Sequence, residues 1–122
     1  MTLREIHADF AWVVVATNAA VGLWALAAHW QERLRSQWLW SATLVAELTI
    51  VVQVCLGVAL VAVQDLEVAQ FHAFYGFVAL ATIGIVYSYR QQVEPHLYLL
   101  YGLGGLFLMG LALRAITISP IP

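Results

Sequence analysis

Four stretches of this chain, residues 10–30, 39–63, 68–88 and 96–116, are almost free of charged side chains and rich in Ala, Val, Leu and aromatic residues. Each is about 20 residues long, which is what a helix rising about 1.5 Å per residue needs to cross a hydrocarbon layer of about 30 Å. Apolar and polar positions do not alternate with a period of two, so membrane strands are not predicted. The connections, at 31–38, 64–67 and 89–95, are short and make successive helices antiparallel neighbours. The pattern therefore predicts an all-α, polytopic integral membrane protein: a bundle of four transmembrane helices forming a single domain over residues 1–122. Ala25-Leu26-Ala27 has the look of a signal-peptide cleavage site, but Glu5 and Asp9 dilute the positive start that a signal needs. The first stretch is accordingly read as a true span.

Composition agrees with the pattern. Hydrophobic residues make up 63% of the chain and charged residues 10%, against about 25% charged in a soluble domain. The net charge of −2 gives no basic field for nucleic acid, so the predicted surroundings are lipid and other membrane subunits. The lone Cys55 excludes an intramolecular disulfide. Arg33, Arg35 and Arg90 flank the first and third connections, whereas Arg4 and Arg114 lie toward the opposite side. By the positive-inside rule both termini are outside, and the membrane is read as a bacterial inner membrane. Trp30, Trp38, Trp40, Tyr87, Tyr89, Tyr98 and Tyr101 form an aromatic belt on the cytoplasmic side, with Phe10, Trp12, Phe71, Phe74 and Tyr75 on the other.

Two halves of the chain resemble one another. His7-Ala8 aligns with His72-Ala73, and at the same offset Phe10 meets Tyr75, Val13 meets Val78 and Ala16-Thr17 meets Ala81-Thr82. This predicts two related hairpins about a pseudo-two-fold axis along the membrane normal. Such an axis brings His7 and His72 together near one surface. His29 and His96 lie near the other, each beside a connection. Two histidines at one depth on different helices are what a bis-imidazole haem requires, one nitrogen for each face of the iron. The alternative is that all four simply sit among headgroups with the neighbouring Trp and Tyr.

The stretches Gln53-Val54-Cys55-Leu56-Gly57 and Phe71-His72-Ala73-Phe74-Tyr75-Gly76-Phe77 resemble a helical hairpin of haem A synthase or cytochrome b561-type membrane proteins. The resemblance covers the middle third of the chain. It implies haem b as cofactor, with His72 as an axial ligand and His7 as its partner.

Glu47 is the one acidic residue inside a span, about 6 Å from the bilayer centre at a rise of about 1.5 Å per residue. Intramembrane carboxylates face protein or water and mark candidate functional sites. Asn18 and Thr82 fall at similar depth, and Thr43 and Gln53 add polar groups on the same helix as Glu47. This cluster reads either as hydrogen-bonding glue or as a proton site. Gly102, Gly105 and Gly110 on the fourth span, with Ala16 and Ala20 on the first, are read as small residues for close helix packing. No phosphate loop, no Cys-x-x-Cys and no Ser/His/Asp set is visible, so neither a catalytic residue nor a metal cluster is predicted.

Three functions follow in order. The first is a non-catalytic accessory or assembly subunit of a larger membrane complex. The second is a b-type haem electron-transfer protein using His7 and His72. The third is a small proton-coupled transporter using Glu47. The topology itself is testable. Single cysteines placed at 33–38 should resist membrane-impermeant reagent added from outside, and cysteines in the 64–67 connection should react. Labelling of the first connection from outside would reverse the orientation.

Overall fold

The computed structural model describes residues 2–65 and 70–118. Over these residues the chain is four α-helices: α1 (Leu3–Trp30), α2 (Gln37–Gln64), α3 (Gln70–Tyr89) and α4 (Leu97–Thr117). Short 3₁₀ turns at Glu32–Leu34 and Glu94–His96 precede α2 and α4. All four helices are long and apolar enough to cross a membrane. The predicted start of the third span at residue 68 lies outside the described residues.

Local chemistry fixes the ends. Helix α1 begins at residue 3, not 10, because Thr2 caps it: its hydroxyl accepts a hydrogen bond from the Glu5 amide at 3.1 Å. Glu5 then sits in the first turn, where a negative charge suits the helix dipole. Ser36 caps α2 by accepting from the Trp38 amide at 3.1 Å. Asp65 stops α2 in the left-handed region (φ 54°), a conformation that Asp tolerates better than most side chains. The last carbonyls of α1 are satisfied by Arg35, whose Nε donates to Ala28 O at 2.8 Å and whose Nη2 donates to His29 O at 3.0 Å. Trp24 Nε1 donates to Leu34 O at 2.9 Å, so the first connection is tied back onto α1.

Helix α1 packs most extensively on α4 and next on α2; α3 packs on α4, and α2 meets α3 only lightly. The order around the bundle is therefore α2, α1, α4, α3. The α1–α4 contact is a backbone contact. A Cβ built on Gly102 would lie 2.7 Å from Leu26 N, and one on Gly22 would lie 2.9 Å from Leu106 N. One on Gly105 would lie 2.9 Å from Gly22 Cα. Gly110, Ala16 and Ala20, also read as packing residues, are instead exposed, and Gly110 has nothing within 4 Å of where a Cβ would stand. Among the glycines, Gly22, Gly102 and Gly105 are the ones at the α1–α4 approach.

A pseudo-two-fold relating the hairpins would pair α1 with α3 and α2 with α4, so α1 against α4 would have its equivalent in α3 against α2. Those two contacts are the most and among the least extensive in the bundle. The packing does not keep the symmetry that the aligned residues predict.

The interior holds two apolar clusters. Val14, Ile50, Ala79, Leu108 and Leu111 form one, and Ala25, Ala28 and Leu39 the other, with Trp24, Tyr98 and Tyr101 packed on the second. Trp12, Leu23, Val58, Phe74 and Phe77 point outward, an apolar exterior compatible with lipid surroundings.

The glycine contact makes a signed prediction. Gly102→Ala forces backbone atoms apart and should lower stability in detergent by about 1–3 kcal/mol. Gly84, with open space around it, should tolerate Ala and gain up to about 1 kcal/mol from helix propensity. Thermal unfolding of both variants checks this, and equal stabilisation by the two would mean that α1 and α4 are not in contact there.

Candidate functional site

Four helices converge on His7 and His72. The two imidazole rings stand 6.1 Å apart between centroids with their planes at 71°. Both rings are half-buried. His72 Nδ1 lies 2.9 Å from Ala115 O of α4; since a carbonyl only accepts, Nδ1 carries a proton in this contact. Gly57 of α2 makes room for the other ring, since a Cβ there would lie 3.2 Å from His7 Cε1. Gln53, one turn before Gly57, donates from Nε2 to the His7 carbonyl at 2.7 Å. Two side-chain atoms here are buried without a partner, His7 Nδ1 and Gln53 Oε1, one able to donate and the other able only to accept. A cleft of about 300 Å³ is lined by Phe71, Tyr75, Arg114 and Ile118, chain neighbours of His72 and Ala115; neither histidine of the pair lines it.

A second pair closes the opposite end. His29, at the end of α1, and His96, just before α4, have centroids 5.9 Å apart with planes at 53°. His96 is exposed, and His29 also lies edge-on to Trp30 at 4.7 Å. Trp40 packs on Tyr98 and Tyr101 nearby at 5.1 and 5.2 Å, and the Arg35 guanidinium covers Tyr98 at 4.7 Å. Residues 7 and 29 are 22 positions apart on one helix, which places the two pairs roughly 33 Å apart along it.

The polar residues predicted for the span interiors separate into three places. Asn18 is buried, and its Nδ2 donates to Val14 O of its own helix at 2.9 Å and to Ala46 O of α2 at 3.3 Å. It lines a small mid-bundle cavity together with Thr43, Glu47 and Tyr101. Thr82, expected beside Glu47, donates to Val78 O of its own helix at 2.8 Å and does not line that cavity. Gln53 belongs to the His7 end. Tyr101 and Arg114 were not singled out as site residues from sequence. Tyr101 stands one turn before Gly104 and Gly105, at the level where α4 comes closest to α1, and that spacing is the signal that could have found it.

The donor set limits which cofactor fits. Among the described residues no group of three or more His, Cys, Asp or Glu is gathered as a metal site. An ion held by side chains alone would therefore lack ligands. A haem iron brings four nitrogens in its macrocycle and needs only two from the protein. A coordinating ring nitrogen sits about 2 Å from a first-row metal ion and about 1 Å from its ring centre, so two rings on opposite sides of one ion have centroids roughly 6 Å apart. The 6.1 Å between the His7 and His72 centroids is compatible with that distance, His72 Nδ1 is already engaged by the Ala115 carbonyl, and Arg114 is a cation that a carboxylate could pair with. No family model, no curated protein and no solved structure matches this chain.

Proposed function

We propose that this chain is a b-type haem-binding integral membrane protein that carries electrons, with His7 and His72 as axial ligands, and that it works as a subunit among other membrane proteins. The observation that carries this reading is the 6.1 Å pairing of two half-buried imidazoles from different helices, one of them already oriented through Nδ1. When bound, haem supplies reversible one-electron chemistry at its iron.

The protein's own residues would set that chemistry. Ala115 O engages His72 Nδ1, which would leave Nε2 as the nitrogen to serve as ligand. Gln53 Oε1 and His7 Nδ1 each lack a partner and do not bond one another here; a side-chain rotation that paired them would orient the second ligand in the same way. Gly57 keeps α2 from crowding His7, and Arg114 with Tyr75 would hold the polar edge of the group at the membrane surface. Such a protein exchanges electrons with neighbours rather than transforming a substrate, which is why the accessory-subunit reading and the haem reading combine. The membrane is proposed to be a bacterial inner membrane with both termini outside, from the placement of Arg.

Absorption spectra of protein purified from haem-replete cells test the proposal. The wild type should show a Soret band. His7→Ala and His72→Ala should each reduce the haem bound at this site to background, while His96→Ala at the far end leaves it intact. Gln53→Ala should weaken binding about 10-fold or more, the usual range for loss of a partner that orients a ligand. A colourless wild-type protein would end the haem reading.

A further inference from the structure

We propose that Glu47, with Asn18 and Tyr101, forms a proton-exchange site around a single bound water in the middle of the bundle. The site is separate from both histidine pairs. Glu47 lies ten residues from the start of α2 and ten from Gly57, so it stands about 15 Å from each end group along the helix. All four helices line the cavity it faces: Asn18 comes from α1, Thr43 and Glu47 from α2, Ile83 and Val86 from α3, and Tyr101 from α4. Its volume, about 10 Å³, is room for one water.

A water is held only where two to four polar partners await it. Three side chains here have a polar end with no protein hydrogen bond among the described residues. Both Asn18 bonds run from Nδ2, which leaves Oδ1 open as an acceptor. The Tyr101 hydroxyl and the Glu47 carboxyl take part in none. Thr43 is already used, donating to Leu39 O at 2.8 Å. The free groups are one amide oxygen, one hydroxyl and one carboxyl: the two oxygen acceptors take both donors of a water and the hydroxyl fills one of its acceptor positions, three partners in all.

The ligand class follows from size and ligand count. A hard cation requires about six to eight oxygens, and this cavity offers three free groups and space for one water. A proton requires one carboxylate oxygen. The step is a proton transfer alone: an O–H bond of a hydronium at the water position breaks, an O–H bond forms on a Glu47 oxygen, and neutral water remains. Release reverses it. Of the lining residues only Glu47 and Tyr101 titrate; α1 and α3 contribute none. Arg90 and Tyr87, toward the surface that carries His29 and His96, are the other groups close enough to act on Tyr101.

Infrared difference spectroscopy of the full chain in lipid, between acidic and alkaline buffer, tests the site without reference to haem. A protonated-carboxyl C=O band should appear on acidification, shift in D₂O as its proton exchanges, and vanish in Glu47→Gln. Tyr101→Phe should keep the band and move its frequency, because one partner of the water is lost. A spectrum unchanged by Glu47→Gln, or a band that neither titrates nor exchanges, would overturn the proposal. If Glu47→Gln does not fold, Tyr101→Phe decides alone, and an unmoved band then counts against the water-bridged site.

Discussion

The contact of α1 with α4 governs the rest of the bundle. In lipid there is no hydrophobic drive to bring helices together, so close van der Waals packing and interhelical hydrogen bonds must do it. Gly22, Gly102 and Gly105 provide the first by letting two backbones touch. Once α1 and α4 are in contact, α2 has only the free flank of α1 and α3 only the free flank of α4. The light meeting of α2 with α3 is the residue of that choice. All four helices line the small cavity beside Glu47.

Polar groups supply the second kind of adhesion, and they are spent on α2. Asn18 reaches Ala46 O near mid-depth, and Gln53 reaches the His7 carbonyl nearer one end. Thr17 and Thr49 approach at 3.4 Å between these two levels. Each such bond between membrane helices contributes roughly 0.6 kcal/mol and at most about 2. The glycine contact thus holds α4 to α1, and hydrogen bonds hold α2 to α1. The same Gln53 that fastens α2 stands against His7, so the packing of a helix and the setting of a ring are one interaction.

The four helices were legible because hydropathy and length are enough to mark a long apolar helix, whatever it packs against. The start of α1 was not, because Glu5 and Asp9 look like residues outside a span. Thr2 shows that the helix runs on past the apolar stretch. The histidine pairs could be assigned to depths from sequence, since His7 and His72 open parallel helices. Their approach to about 6 Å could not, because it depends on which helices are neighbours. That order is set by three glycines, while the same composition at Gly110, Ala16 and Ala20 faces outward. Glu47 announced itself by charge, but its surroundings did not: depth alone favoured Thr82 equally, whereas Thr82 bonds its own helix and Tyr101 takes its place.

The glycine contact also has a history in time. Gly22 and Gly102 are joined across the whole of α2 and α3, so α1 leaves the ribosome long before its main partner exists. The connection clamped by Arg35 and Trp24 lets α1 and α2 settle as a hairpin early. The Gly22 face can find Gly102 and Gly105 only once all four helices exist, so the contact that joins the ends of the chain is also the one that demands the whole of it.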